Sequence, residues 1–220
     1  MRNYRVVDLS WQLTPPNPDV GGFGPRRLDI RRKTIWLGEY SFDVDITSHS
    51  GTHVEAPSHY IPAVFPERVA RDISVLPIEL FLGPAYVVDL QDLEPRAAIL
   101  PEHLAATGAG RGDILLIGNS RHAARGQKPY LSREAARWMV DHGIKMAGMD
   151  NTLAYEEPGV QTMQEMHTHL ELLSHDIPFL ENMAHMDQLH ERHVFFIALP
   201  LNIVGLDSCP VRAVALEGVY

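Results

Sequence analysis

The chain has 220 residues, of which 45% are hydrophobic and 21% are charged. These proportions are typical of a globular protein that buries its own core, and they exclude a disordered or fibrous chain. The formal charge of −9 argues against binding to nucleic acid or to anionic membranes, because both are themselves negatively charged. A single cysteine, Cys209, together with no apparent signal peptide and no apolar run of membrane length, predicts a cytoplasmic protein.

The N-terminal part of the chain is predicted to form a strand at residues 5–9, followed by a loop rich in proline and glycine at 14–26. A loop of this length is often functional. Two aromatic residues, Trp11 and Phe23, accompany the loop. They either line a substrate pocket or pin the loop to the core, and the sequence leaves both readings open.

The rest of the chain alternates between predicted strands and helices. Apolar side chains at every second position predict a strand with one buried face, formed by Phe42, Val44 and Ile46. Short apolar runs predict buried strands at 85–90, 113–118, 144–149, 194–199 and 211–216. Helices are expected at 101–107, 162–175 and 132–142, the last with Ser132 as N-cap and Gly143 as its stop. This order predicts an α/β fold, one domain over residues 1–220 with a mixed β-sheet and flanking helices.

The segment 49–59 reads HSGTHVEAPSH and places four ionisable residues at odd positions, namely His49, His53, Glu55 and His59. Alternate side chains of an extended chain point to one face, so His49, His53 and Glu55 are expected to converge. Gly51 lies between the two imidazoles and leaves room for an ion or a substrate. Together with Pro57, it argues against a helix in this segment.

Two imidazoles and a carboxylate form a ligand set suited to Zn²⁺ or Mn²⁺. Three protein ligands leave a coordination position open for water, which is typical of a catalytic rather than a structural site. The alternative is a loop of ordinary surface histidines, since the chain contains 12 of them. Four ionisable residues in phase around a glycine favour the metal site.

The same segment resembles the signature H-x-G-T-H-x-D-x-P-x-H of the cyclase-like family of metal-dependent hydrolases, which includes kynurenine formamidase and isatin hydrolase. Further stretches are similar to the family: VVDLS at 6–10, GMDN at 148–151, HLELLSHDIPFLEN at 169–182 and CPVRAVAL at 209–216. The resemblance covers nearly the whole chain. It implies the family's swivelling β/β/α fold.

The resemblance also implies roles for individual residues. His49 and His53 match metal ligands, and Glu55 stands where the family has a metal-binding Asp that bridges two ions in some members. His59 matches the acid/base histidine. The family's later His and Glu correspond to His169 and Glu181. From the residues alone, His169 on an apolar helix face is either a hydrogen-bonded core histidine or a ligand, and Glu181 in an apolar setting needs a cation.

These residues predict a metal-dependent amidohydrolase, similar to an arylformamidase or a cyclic amide hydrolase. One or two divalent ions would activate a water that attacks an amide or lactam, with His59 carrying the proton to the leaving nitrogen. Trp11 and Phe23 would stack on an aromatic substrate. Two alternatives remain open: a metal-dependent cyclase or dehydratase, and a catalytically impaired metal-binding protein with Glu55 as the lesion. The expected partners are a small-molecule substrate and, by resemblance, further copies of the chain in a dimer or tetramer.

Overall fold

The computed structural model describes residues 4–20 and 24–220. Its strands are β1 Arg5–Asp8, β2 Leu28–Thr34, β3 Tyr40–Ile46, β4 His53–Glu55, β5 Leu82–Asp89, β6 Ala98–Ile99, β7 Ile114–Gly118, β8 Tyr130–Leu131, β9 Met146–Asp150, β10 Phe179–Met183, β11 His193–Ile197, β12 Ser208–Pro210 and β13 Val214–Glu217. Its α-helices are α1 Pro57–Val64, α2 Pro101–Ala105, α3 Arg133–Asp141 and α4 His167–Leu173. Among the described residues, no helix has both the length and the apolar character needed to span a membrane.

Nine strands form one mixed sheet in the order β1-β13-β11-β5-β7-β9-β10-β4-β12. The central strands β5, β7, β9 and β10 are parallel, whereas the strands on both flanks pair antiparallel. Parallel strands are usually covered on both faces, which fits the short, largely apolar runs predicted for β5, β7 and β9. These strands are confirmed, with bounds that differ from the prediction by a few residues.

Two apolar cores lie on opposite faces of the sheet. Neighbouring residues of β7 divide between them: Leu115 and Ile117 pack with the helices, while Ile114 and Leu116 pack on the other face. The first core includes side chains of all four α-helices. The second is closed by the antiparallel flanks of the sheet itself, because β4, β11, β12 and β13 contribute to it. The sequence-based expectation of an α/β fold with flanking helices is therefore confirmed.

Local signals explain where two of the helices begin. Ser132 caps α3, because its side chain accepts a hydrogen bond from the backbone N–H of Ala135 at 3.1 Å. Pro57 occupies the first turn of α1, where its missing N–H costs no hydrogen bond. The expectation of a non-helical segment through residue 59 is wrong beyond Glu55, since Pro57 starts a helix rather than preventing one.

The strand predicted from the alternation at 42–46 exists, but its apolar face is not buried. β2 and β3 form a separate two-stranded sheet, which we call the hairpin arm. The expected core residues Phe42, Val44 and Ile46 are 55%, 57% and 37% exposed. The period of 2 correctly predicted an amphipathic strand. It carried no information about what would cover the apolar face.

Candidate metal centre

Strand pairing unites residues that are far apart in the sequence. His53 and Glu55 occupy alternate positions of β4, so their side chains point to the same face. In the antiparallel pair of β4 and β10, His53 lies directly opposite Glu181. The Nε2 atom of His53 is 3.6 Å from a carboxylate oxygen of Glu55 and 3.6 Å from one of Glu181. These three residues therefore converge, and two of them, His53 and Glu55, belong to the trio expected from the motif.

His169 reaches the same point from α4. Its Nε2 atom lies 3.2 Å from Glu181 and 3.4 Å from Glu55. On the other side of the ring, its Nδ1 atom lies 2.6 Å from Oε1 of Glu156. Glu156 also accepts the backbone N–H groups of Thr168 and His169 at the start of α4. One carboxylate thus caps the helix and orients the imidazole, an arrangement typical of metal-binding histidines.

The hydrogen bonds of His53 determine which of its nitrogens faces the centre with a lone pair. Its Nδ1 atom is 2.8 Å from the carbonyl oxygen of Gly51. Because a carbonyl only accepts, Nδ1 carries the proton and Nε2 is left as an acceptor. Nε2 of His53 and Oε2 of Glu55 are both buried without a hydrogen-bond partner. Buried polar atoms without partners are costly, and a cation between them would remove that cost.

A second group of side chains surrounds Asp207, which lies just before β12. Its Oδ2 atom is 3.2 Å from Nε2 of His49 and 3.1 Å from Nδ1 of His59. The remaining nitrogens face Glu55, at 3.0 Å for His49 and 3.5 Å for His59. Both imidazoles are thus held between one buried carboxylate, Glu55, and one partly exposed carboxylate, Asp207.

Gly51 shapes the turn that carries His49 and His53. Its φ of 61° lies in the left-handed region, which glycine adopts without strain. A Cβ atom at this position would lie 2.6 Å from Cδ2 of Leu13. Gly51 also lines the cleft, as expected from its place in the motif. The positive φ of the turn and the close approach of Leu13 both require glycine at position 51, and the sequence alone did not reveal either requirement.

An irregularity in β10 aims the later carboxylate. The pairing of β10 with β9 shifts register between Leu180 and Met183. Asn182 in this interval has a φ of 60°, and its backbone N–H donates to the hydroxyl of Tyr155 at 2.7 Å. Such bulges redirect side chains, and here the neighbouring Glu181 faces the imidazoles.

The ionisable groups shift one another in directions that suit bound positive charge. Burial raises the pKa of Glu55, but hydrogen bonds from His169 and His49 outweigh it and hold that pKa well below its ordinary value. Burial lowers the pKa of His169, but hydrogen bonds with Glu156, Glu181 and Glu55 outweigh it and raise that pKa well above 6.5. The centre therefore stabilises positive charge beside its carboxylates, carried by protons when no other cation is bound.

Among the described residues, two sets of side chains could each hold a metal ion, because the potential ligand atoms within each set lie within 4.8 Å of one another. The first set is His49, Glu55 and His59, and the second is His53, Glu55 and Glu181. The expected trio of His49, His53 and Glu55 divides between these sets, and Glu55 belongs to both. Imidazole and carboxylate ligands suit Zn²⁺ and similar divalent ions. The residues therefore fit a divalent metal, both by donor type and by the buried atoms that await a partner.

The centre opens into a cleft with a volume of about 1310 Å³. Of the predicted site residues, His49, His53, Glu55, His59, His169 and Glu181 line it. Trp11 is not among the described lining residues; its ring lies 6.0 Å from that of His185. Phe23 lies outside the residues that the structure describes. The predicted substrate contacts of Trp11 and Phe23 stay predictions.

Comparison with known proteins adds a family to this geometry. The model of the Cyclase family matches residues 7–157. The chain belongs to the Cyclase family. A kynurenine formamidase from Bordetella pertussis is 30% identical over 216 residues, which cover 94% of this chain and 97% of the relative.

Solved structures share the fold. Isatin hydrolase A from Labrenzia aggregata, bound to benzyl benzoate, superposes with a TM-score of 0.77 at 22% identity and covers 97% of this chain and 93% of that one. A structure described as a potential metal-dependent hydrolase with cyclase activity has a TM-score of 0.73 at 23% identity, with 98% of both chains covered. The predicted Cyclase-family membership and fold are thus confirmed.

Two residues of the centre escaped the sequence analysis. Glu156 lies in a loop without periodicity, so nothing local marked it as the partner of His169. Asp207 stands two residues before the CPVRAVAL stretch that resembles the family, and no period or spacing links it to the motif at 49–59. For both residues, the sequence contains no local signal of their role.

Proposed function

We propose that this member of the Cyclase family is a metal-dependent hydrolase that cleaves a non-peptide C–N bond, an amide or lactam, in a small aromatic substrate. One observation carries the proposal. His53 and His169 both have their Nδ1 atoms held by an acceptor, Gly51 or Glu156, and both turn Nε2 towards Glu181 and Glu55. Imidazoles that are oriented by a backbone carbonyl or a carboxylate and converge on shared carboxylates are typical of a metal site.

The proposed metal ligands are His49, His53, Glu55, His169 and Glu181. A divalent ion at this place would supply a Lewis acid and would lower the pKa of a bound water towards neutrality. Zn²⁺ and Mn²⁺ are the candidates by ligand type. Because the carboxylate of Glu55 lies 3.0 Å from His49 and 3.6 Å from His53, it could bind one ion or be shared by two.

His59 is proposed to carry the proton to the leaving nitrogen. Its side chain is 28% exposed, more than those of His53 and His169 at 6% and 5%. Asp207 accepts a hydrogen bond from Nδ1 of His59, which orients the ring. The opposite nitrogen, Nε2 of His59, faces Glu55 at the centre. His59 would therefore take up a proton and pass it to the leaving nitrogen at this atom.

The substrate class rests on the relatives and on the cleft. The similar proteins are a kynurenine formamidase and an isatin hydrolase, whose names point to aromatic amides as substrates. The cleft contains Leu153, Tyr155 and Met166 among its lining residues, which offer apolar contacts for a ring. Trp11 and Phe23 remain proposed as further contacts with that ring.

The decisive experiment measures hydrolysis of aryl formamides and of isatin in water labelled with ¹⁸O, using enzyme loaded with Zn²⁺ or Mn²⁺ in turn. Hydrolysis places solvent oxygen in the released carboxylate, whereas a cyclase or dehydratase does not.

His59→Ala is expected to keep its metal content and to lose about 10²–10⁴-fold in turnover. The control His190→Ala replaces an exposed histidine outside the cleft and should retain full activity. Full activity of His59→Ala would overturn the assigned proton carrier, and metal binding without turnover would favour the impaired protein.

We further propose that the chain forms a homo-oligomer through the hairpin arm. One face of the arm exposes Ile30, Tyr40, Phe42, Val44 and Ile46, each at least 37% exposed, and the other face carries paired charges such as Lys33 and Asp43. A two-stranded sheet is marginally stable by itself, so an apolar face of this kind needs a cover. A second copy is the occupant that we propose.

The oligomer is tested by sedimentation of matched variants on the two faces of the arm. Phe42→Glu is expected to shift the protein towards the monomer, because a charge would be buried in the interface. Ser41→Glu, one residue away on the charged face, should leave the assembly unchanged. A wild-type monomer, or equal behaviour of both variants, would contradict the proposed interface.

We propose that residues 1–220 form one functional domain in the cytoplasm, acting on a small molecule rather than on nucleic acid or a membrane. The net charge of −9 and the buried, unpaired Cys209 support this setting. Fractionation of cells that express the tagged chain would test the location.

A further inference from the structure

The cleft that contains the metal centre also has a basic wall, which we define as Arg26, Arg96, Arg125 and Lys128. These residues come from separate loops, before β2, before β6 and before β8. The chain as a whole is acidic, with 28 carboxylate and 19 basic side chains. A concentration of cations in one cleft of such a protein creates a local positive potential that attracts anions.

Backbone hydrogen bonds hold two parts of the basic wall side by side. The N–H of Arg96 donates to the carbonyl of Gln127 at 2.9 Å, next to Lys128. β6 and β8 pair directly after these residues, with Ala98 opposite Tyr130. Arg96 itself has a φ of 62°, a left-handed conformation that costs free energy for a residue other than glycine. The fold thus keeps Arg96 beside the 125–128 loop in spite of that cost.

The same loop is tied to the metal centre. The N–H of Ala154 donates to the carbonyl of Pro129 at 2.8 Å, and the N–H of Leu131 donates to the carbonyl of Ala154 at 3.2 Å. Two residues after Ala154 stands Glu156, which orients His169. The basic wall and the centre are therefore connected through one short, hydrogen-bonded stretch. This connection fixes the position of the wall relative to the centre.

The arginines of the basic wall differ from others nearby in how they are paired. Within the described residues, the side chains of Arg26, Arg96 and Arg125 form no hydrogen bond or ion pair, whereas Arg121 in the same loop as Arg125 pairs with Asp92 at 3.4 Å. Lys128 lies near Asp150, which counteracts the lowering of the pKa of Lys128 by burial. Guanidinium groups favour carboxylates, which they bind with two parallel hydrogen bonds.

We infer that the basic wall binds a carboxylate of the substrate while the amide or lactam carbonyl lies at the metal centre, so the substrate class is an anionic aromatic amide. This inference rests on the proposed function and narrows it. The wall orients the substrate, and it leaves the bond cleavage to the groups at the centre. Arg96 and Arg125 are thus specificity-determining residues.

The test compares 2-, 3- and 4-formamidobenzoate with the matching formamidobenzamides, which have the same shape without the charge. Equilibrium binding and kcat/KM are measured for the metal-loaded wild type and for the double variant Arg96→Asn and Arg125→Met. Asparagine is chosen at 96 because it tolerates a left-handed φ. Arg121→Met is the matched control, since it removes an exposed arginine of the same loop that does not line the cleft.

We expect the wild type to bind at least one benzoate more tightly than its benzamide. The double variant should weaken that benzoate about tenfold, mostly in KM, and change the benzamide by less than about twofold. The preference should also decrease with ionic strength. Equal affinity of the wild type for both compounds, or equal losses in the double variant, would overturn the inference. Failure to hydrolyse either compound would contradict the proposed function instead, and the binding ratio would still decide the role of the wall.

Discussion

At the scale of single residues, the centre depends on what lies behind each imidazole. His53 and His169 have different supports, a backbone carbonyl and the carboxylate of Glu156, yet both leave Nε2 facing Glu181. The support determines the tautomer, and the tautomer determines whether a lone pair is available for a metal. Glu156 is therefore as much a part of the site as the predicted ligands.

Substitution of Glu156 tests this dependence. Glu156→Gln should lower metal affinity by about 10–100-fold, because a neutral amide holds the proton on Nδ1 of His169 less strongly than a carboxylate does. Metal titration followed by calorimetry or a chromophoric chelator measures the change. Glu157→Gln is the control, since Glu157 accepts the backbone N–H of Arg133 and lies outside the cleft lining. Equal metal affinities of the wild type and Glu156→Gln would remove Glu156 from the site.

The residues were predictable to different degrees. The local spacing of the motif at 49–59 predicted a cluster, and the side chains of His49, His53 and His59 do lie within 3.6 Å of Glu55. His169 and Glu181 were matched through the family resemblance. Glu156 and Asp207 were missed, because a loop carboxylate has no periodicity and its partner lies far away in the chain.

At the scale of elements, a turn, a strand and a helix in direct succession carry the motif. The turn at 48–52 presents His49, β4 presents His53 and Glu55, and α1 presents His59. A uniformly extended segment was expected, and it would not bring His59 back towards Glu55. The helix that starts at Pro57 does so, because it turns the chain back after β4 and leaves Nε2 of His59 3.5 Å from Glu55.

The turn itself is testable at Gly51. Gly51→Ala should lower the free energy of unfolding by about 1–3 kcal/mol, because alanine is strained at a positive φ and its Cβ would displace Leu13. Metal affinity should decrease too, since the carbonyl of Gly51 accepts the hydrogen bond from Nδ1 that orients the ring of His53. Urea unfolding and metal titration measure both effects. Gly110→Ala is the control, as no atom lies within 4 Å of a Cβ at that position and its φ is not positive. An unfolding curve equal to that of wild type would contradict the strain.

The hairpin arm is a strand pair whose existence the hydrophobic pattern predicted but whose surroundings it did not. The alternation of Phe42, Val44 and Ile46 predicted the strand but assigned its apolar face to the core. Hydrophobic periodicity reports that a face needs cover, and it does not report which surface provides the cover.

At the scale of the whole molecule, the two ends of the chain close one edge of the sheet. β1 pairs with β13, which pairs with β11. Burial raises the pKa of Glu217 in β13, but the backbone N–H groups of Glu191 and His190 and the guanidinium of Arg5 outweigh it and hold the pKa below 4.5. This carboxylate thus joins the N-terminal strand, the C-terminal strand and the segment before β11.

The closure should be sensitive to acid. Since the pKa of Glu217 is lower in the folded state, its stabilisation is fully present above 4.5 and is lost as the pH falls through the folded pKa. Glu217→Gln should cost about 1–3 kcal/mol at neutral pH, and less below 4.5. Urea unfolding of metal-free protein at both pH values measures this difference, with the exposed Glu67→Gln as control. A cost that is independent of pH would show that the ionised form contributes nothing.

The sequence by itself predicted the class of fold, the positions of the parallel strands β5, β7 and β9, the Ser132 cap of α3 and the cluster of ionisable residues at 49–59, because each depends on residues within a few positions of one another. The tertiary structure alone decided that β4 pairs with β10, that Glu156 stands behind His169, that Asp207 joins His49 and His59, and that a basic wall shares the cleft. These contacts join distant segments through strand order and loop placement. No local period or spacing encodes them, since many chain paths are compatible with the same pattern of apolar and polar residues.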